Sequence, residues 1–265
     1  MHNVTIGADP ELFCWDEANK EYVSAHPWIP GTKAEPHQVM RGAIQLDGVA
    51  AELNIDPVTS SKDFISNLRI VQDIAQSKLP NHIALDPTPT ACFTREQFRT
   101  IPRVNLRLGC DADFNGWTPG EMNRTPEMPR FTRFAGGHVH VGLDYNGESG
   151  SYAHILFCSA LARQLDCYLG LASLEWDDDD ERRKVYKAGA FRPKPYGMEY
   201  RALGNSWLKS DELMDRVYEL TIKAVEKFYD NKYAYVGIGG DVQNILNNGD
   251  RETAKELSSV ILNSK

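Results

Sequence analysis

The chain has 265 residues, 42% of them hydrophobic, which is enough to bury a sizeable core and points to one large domain. Lysine and arginine number 29 against 37 aspartates and glutamates, a formal charge of -8, so neither a nucleic-acid-binding surface nor an anionic membrane is an expected partner. A small polar substrate fits better. Five cysteines, an odd number with no CxxC pair, argue against a disulfide framework or a thiolate zinc site and for reduced, buried thiols. The N-terminal stretch shows no basic region followed by an apolar run, and nowhere do eighteen apolar residues run together, so a cytoplasmic location is expected.

Residues 1–15 alternate as a strand does, with Val4, Ile6 and Leu12 on one parity and Thr5, Asp9 and Glu11 on the other. A second extended segment covers 42–56. Residues 60–80 begin with serines able to cap and end at Pro80, and Phe64, Leu68, Val71 and Ala75 recur at helical spacing, which predicts an amphipathic helix. From 83 to 143 short extended runs are broken by proline and glycine clusters. Residues 151–174 are apolar around most of a helical circumference and read as a buried helix; 197–208 read as a late strand; two helices, near 210–230 and 250–263, close the chain. Without regular strand-helix alternation or internal repeats, the pattern predicts an α+β fold in which a mainly antiparallel sheet is backed by helices.

The chemistry concentrates on one face of these strands. In FAGGHVHVGLD, His138 and His140 point one way and Val139 and Val141 the other. Glu52 and Asn54 share a face, as do Glu199 and Arg201, and as do Asp9 and Glu11. Carboxylates gathered on a sheet repel one another and are costly to desolvate, so the arrangement calls for metal ions. Asp47 lies on the opposite parity from Glu52, and a bulge at Gly48 would turn both inward. Imidazole favours zinc or another transition metal, whereas the excess of hard oxygens favours magnesium or manganese. Against the acidic background, residues 182–201 carry Arg182, Arg183, Lys184, Lys187, Arg192, Lys194 and Arg201 beside the single acid Glu199. Part of that charge balances the preceding acidic run, Asp177 to Glu181; the rest, interleaved with Gly, Pro and Tyr196, suits a polyphosphate.

The stretches GADPELF, LDGVAAELN, AGGHVHVGL and KAGAFRPKPYGMEYRALGNSWL together resemble the carboxylate-amine ligases of the glutamine synthetase fold, which include the glutamate-cysteine ligases, and more closely the phage-encoded COOH-NH2 ligase family. That resemblance implies a half-barrel whose concave face holds Mg2+ or Mn2+, with ATP and the substrates entering from opposite ends. It implies metal ligation by Asp9, Glu11, Asp47, Glu52, Glu199 and either His138 or His140. It implies phosphate contact by Arg201 and a second phosphate or substrate contact by Arg192; Arg182, Arg183, Lys187 and Lys194 of the cationic stretch are further candidate nucleotide-binding cations. The expected reaction is ATP-dependent amide formation between a small carboxylate and an amine, through an acyl phosphate. Asp111 or Asp113 is a candidate for holding the ammonium group and accepting its proton. Two rivals stand beside this reading: a zinc hydrolase using the two histidines, and a non-catalytic protein that keeps the ligase fold. An oligomer is compatible with all three.

Overall fold

The computed structural model describes residues 3–106, 113–123, 127, 129–145, 147–238 and 241–263. Its architecture turns on one run of chain, Thr5–Asp16, that belongs to two antiparallel sheets. The run is not one strand, as its alternation predicts, but two: β1 (Thr5–Ala8) and β2 (Glu11–Asp16), separated at Asp9 and Pro10. Proline lacks the amide that would continue the ladder, so the break falls where the sequence forces it.

The first sheet has the order β1, β11 (Val139–Gly142), β13 (Gly197–Tyr200), β12 (Ala190–Lys194) and β9 (Phe114–Asn115). The second runs β3 (Glu21–Val23), β2, β6 (Ala50–Ile55), β5 (Gly42–Asp47) and β4 (His37–Val39), with β7 (Ile83–Asp86) also paired to β2. A separate ribbon joins β8 (Thr90–Cys92) to β10 (Thr132–Phe134). The connection from β1 to β2 keeps contact with its neighbour: Asp9 N–H donates to the His138 carbonyl (3.3 Å) and Glu11 N–H to the Gly136 carbonyl (2.8 Å). The two sheets are thereby held as one bent surface.

Residues 42–56, expected as a single extended segment, fold into the β5–β6 hairpin, in which Asp47 faces Ala50 and Gln45 faces Glu52. Gly48 has φ +58°, the conformation glycine supplies at the first position of a two-residue hairpin loop. The reversal, rather than a bulge, brings Asp47 and Glu52 to the same face. The late strand is also shorter than expected. It ends at Tyr200, and Ser206–Lys209 form a 3-10 turn. The cationic stretch starts within a short helix (Asp180–Val185) and continues into the β12–β13 hairpin.

The helices form as their periodicity predicts. Ser60 caps Ser61–Gln76 by accepting from Asp63 N–H, and Phe64, Leu68, Val71 and Ala75 are its buried stripe. Tyr152–Leu165, capped by Ser151, continues through a π-helical turn at Asp166–Gly170. The run Tyr152–Ser173 is long and apolar enough to cross a membrane, yet 72% of its most apolar stretch is buried inside the fold, so its apolar surface packs into the core. Asp211–Tyr229 and Arg251–Asn263 are the expected closing helices, with Ala234–Ile238 and Asp241–Asn248 between them.

Between sheets and helices lies the main core, into which Ile6, Leu12, Leu53, Val139, Val141, Met198 and Tyr200 project. At its centre Trp207, fully buried, stacks on Phe64 (centroids 5.9 Å apart) and donates from Nε1 to the Gly137 carbonyl (3.2 Å). Cys14, Cys158 and Cys167 are buried free thiols, whereas Cys92 is exposed, a departure from the expectation that all the thiols are buried; Cys110 lies outside the described residues.

Candidate functional site

The core-facing residues leave the opposite parity of every central strand free to face a common hollow. In the first sheet Gly7, His140, Glu199 and Arg192 are register partners in one row across β1, β11, β13 and β12. Their side chains therefore share a face. In the second, Glu11 pairs with Glu52, and Glu52 with Gln45. Asp9 and Glu11 lie at the junction of the two.

Two groups of potential ligands result. Asp9, His140 and Glu199 bring one donor atom each within 4.8 Å of the others, and Glu11, Asp47 and Glu52 do the same. Carboxylates from three separated stretches of sequence, with one imidazole from a fourth, thus meet in two adjacent clusters.

The first cluster carries its own positive charge. Asp9 Oδ1 is 3.2 Å from His138 Nδ1, and its Oδ2 is 3.0 Å from His140 Nε2. Burial pushes the Asp9 carboxyl up, but the two imidazoles outweigh it and hold it well below the usual carboxylate range. Glu199, 1% exposed, pairs with Arg201 and, at 2.7 Å, with Lys194. Burial and Asp9 push Glu199 up, yet Arg201 and the histidines bring it down to about 2. Burial, reinforced by Arg201, lowers His138, whereas the attraction of Asp9 overcomes burial and raises His140.

The two histidines do different work. His138 is 3% exposed and folds back over Gly136, where an added Cβ would lie 2.1 Å from Nε2; its Nδ1 is taken up by Asp9 and by Arg201 at 3.2 Å. His140 alone joins the ligand group, stacked against Tyr196, whose hydroxyl meets its Nδ1. Gly137 has a separate purpose, since a Cβ there would collide with Trp207 and with the Gly204 carbonyl.

The second cluster is short of positive charge. Burial, together with Asp47 and Asp9, raises Glu11 to about 8 despite the Gly136 N–H and Arg201. Burial and then Asp9, Glu11 and Asp47 raise Glu52 well above the ordinary range. Lys33, half exposed on a tight turn, reaches Asp47 at 2.7 Å. Three crowded carboxylates with one exposed ammonium form an all-oxygen donor set of the kind hard divalent cations prefer. The O, N, O set of the first cluster suits manganese as well as zinc. Both clusters fit a cation by the chemistry of their donors.

The basic residues divide. Arg192 and Arg201 share Asp113, with Nε to Oδ1 distances of 3.0 and 2.9 Å, and Lys194 joins them on the face of the hollow. Asp113 is thus a brace between two guanidinium groups rather than a group open to an ammonium; Asp111 lies outside the described residues. Arg182 does not reach the hollow. It is 1% exposed and its three donor nitrogens serve the carbonyls of Ala135, Ala202 and Arg201, so the structure gives it a framework role in place of the nucleotide contact expected of it. Arg183 is likewise consumed, by the carbonyls of Asp177 and Asp179 and by the Asp177 and Asp180 carboxylates. Lys187 is exposed ahead of β12.

Sequence reasoning missed Lys33, because its link to Asp47 joins a turn to a hairpin that parity alone does not reveal. It also missed Gln45, buried and bonded to Glu52, though its place two residues before Asp47 was a usable signal.

Among curated proteins none matches the chain. The crystal structure of a bifunctional glutathione synthetase from Pasteurella multocida is similar at 14% identity and a TM-score of 0.40, over 98% of this chain and 47% of that one. The chain thus spans less than half of that protein's length, and a likeness of that size carries no argument. The model of the phage phiEco32-like COOH.NH2 ligase-type 2 family matches residues 124–263, more than half of the chain and inclusive of His138, His140, Arg192, Glu199 and Arg201, and the chain belongs to that family.

Proposed function

We propose that the chain is a single catalytic unit of glutamine synthetase type that joins a carboxylate to an amine at the expense of ATP, through an acyl phosphate. The observation that carries this reading is the convergence on one face of two acidic clusters with Arg192, Lys194 and Arg201 beside them, in a chain of a COOH.NH2 ligase family. The chemical obstacle is that an anionic carboxylate must approach anionic phosphates. Mg2+ or Mn2+ at the two clusters would neutralise that repulsion. Asp9, His140 and Glu199 would hold one ion, and Glu11, Asp47 and Glu52 the other. Arg201, fixed by Glu199 and Asp113, and Arg192, fixed by Asp113, present guanidinium groups already oriented, so little reorganisation accompanies the build-up of charge on the transferred phosphoryl group. Lys194 adds a point charge from the end of β12.

A zinc hydrolase built on both histidines is disfavoured by Arg201 beside His138 Nδ1, where a second cation would meet a guanidinium. The site reads more simply as one for polyanions.

The test is ADP release by purified protein with Mg2+ or Mn2+ across a panel of amino acids and amines, beside Glu199→Ala. Turnover that needs both a carboxylate and an amine, and is lost in the variant, supports the ligase. Stoichiometric copurified zinc with no binding or turnover of ATP would replace it with the hydrolase, and an intact fold without either activity with a binding protein. Cytoplasmic substrates, free or at the end of a peptide, fit such a site.

A further inference from the structure

On the far side of His140 from Arg192 and Lys194 opens a cavity of about 360 Å3. That is near the lower end of small-molecule sites, which span about 300–1,000 Å3. Gly7 on β1 and Gly142 on β11, both of the parity that faces the hollow, line it without contributing a side chain. Thr5 and Pro57 flank them, with Tyr196 at the other side. No acid, lysine or arginine is among its described lining residues, and the one imidazole there, His140, is already engaged by Asp9 and Tyr196. Asn54 also lines it, and its Nδ2 is buried without a hydrogen-bond partner. A buried donor left unmade is unfavourable, so a ligand that brought an acceptor there would gain more than an exposed hydrogen bond gives.

The direction of approach narrows what enters. Phosphoryl transfer sets the attacking and leaving oxygens roughly in line on opposite sides of the group transferred. The sheet order places the cations of β12 on one side of the Asp9, His140 and Glu199 cluster and this cavity on the other. Phosphates drawn to Arg192 and Lys194 therefore leave the cavity side for the attacking carboxylate.

We propose, as an extension of the ligase reading, that this cavity holds the body of the carboxylate substrate. That body is small and uncharged, and it carries one hydrogen-bond acceptor directed to Asn54 Nδ2. A zwitterionic head or a second carboxylate finds no counter-charge there, so the acids selected are those with neutral substituents.

Gly7→Ala is the sharpest variant. A Cβ at Gly7 would lie 3.6 Å from His140 Cβ, 3.7 Å from the Ile55 carbonyl oxygen and 3.9 Å from Pro57 Cα, all ordinary contacts, so the fold accommodates it while the cavity loses volume. Asn54→Leu removes the donor at similar size. Saturation-transfer NMR with wild type and both variants, against a panel of neutral and charged small acids and separately against ATP with Mn2+, reads the outcome. The expected result is that neutral acids bind wild type, that Gly7→Ala weakens them about tenfold or more, the effect of overfilling a packed site, and that ATP binding shifts by less than about twofold. A loss of ATP binding with acids unaffected would make the cavity the nucleotide's. Binding of no acid to wild type, binding unmoved by either variant, or a preference for charged acids would each overturn the proposal. Failure of the ligase reading registers separately, as Gly7-sensitive acid binding with no ADP release.

Discussion

The two acidic clusters are neighbours on one surface, yet they reach electrostatic balance by opposite routes. Around Asp9 and Glu199 the chain supplies two imidazoles, an arginine and a lysine, and both carboxyls stay below their ordinary range. Around Glu11, Asp47 and Glu52 one half-exposed lysine makes the ion pair and Arg201 attracts Glu11 from the first cluster, yet both Glu11 and Glu52 are driven upward. The first is assembled by folding alone; the second is left incomplete and selects for a ligand that brings charge. A site organised in this way keeps Arg192, Lys194 and Arg201 oriented by Asp113 and Glu199, and in the proposed ligase it would make the second cluster responsive to the cations around it.

The largest effect expected from breaking the first cluster is on turnover. Glu199→Gln leaves Arg201 and Lys194 without their shared carboxylate and removes a donor atom from the His140 group. ADP release should fall by about 10²–10³ or more, the scale of losing an oriented electrostatic contact at a transferred group. Steady-state kinetics with saturating ATP and cation measure it, and near wild-type turnover would remove Glu199 from the site.

The support beneath the first cluster is the next largest effect. Trp207 joins the core to the histidine strand through Phe64 on one side and the Gly137 carbonyl on the other. Trp207→Ala should cost about 3–5 kcal/mol of stability, as large-to-small changes in a packed core do, and should lower Tm. A chemical denaturation series gives the value directly.

Much of this frame was legible because it is local. Serine caps, the stripe Phe64, Leu68, Val71 and Ala75, and the alternation that sets His138 and His140 opposite Val139 and Val141 are short-range patterns with a single physical meaning. Connectivity was not. Parity within 42–56 gave the wrong face to Asp47 because a hairpin resets it, and nothing in the local sequence says that β2 pairs with β6. The segment 182–201 shows the limit most clearly. Its cations read alike in the sequence, but their partners sort them: Arg182 and Arg183 satisfy carbonyls and nearby acids, while Arg192, Lys194 and Arg201 meet Asp113 and Glu199 at the hollow. Composition records charge and is blind to the direction in which it points.

The second cluster gives the comparison its pH signature. Glu11 is held up to about 8, so in the folded chain its protonated form is favoured. The stability this contributes is full below the ordinary carboxylate value near 4.5 and is lost as pH rises through about 8. Glu199 behaves in the opposite sense: its contribution is present above about 4.5 and is lost only as pH falls toward 2. In chelator, Tm should therefore decline between about pH 5 and pH 8, and Mn2+ should abolish most of that decline. Glu52→Gln, which removes one of the crowded charges, should flatten the curve in chelator and blunt the response to Mn2+. A Tm that rises across this interval in chelator would contradict the charge deficit assigned to Glu11, Asp47 and Glu52.

The smallest effect isolates the lysine paired with Asp47 in the second cluster. Lys33 sits on a turn whose ends close on each other, Thr32 N–H to the Glu35 carbonyl and Glu35 N–H to the Thr32 carbonyl, so its tip can hold the ammonium over Asp47 without being part of the sheet. With 51% of its side chain exposed, the pair it makes is of the kind worth at most about 1 kcal/mol. A divalent ion that takes Asp47 must displace that ammonium. Lys33→Met should then tighten Mn2+ binding by roughly two- to fivefold, the ratio that about 0.4–1 kcal/mol represents, with the first cluster untouched. Calorimetric titration of Mn2+ into wild type and variant reads the change. Weaker binding in the variant would mean that Lys33 helps to build the site, and the view of the second cluster as a place held by a lysine until a metal arrives would fail.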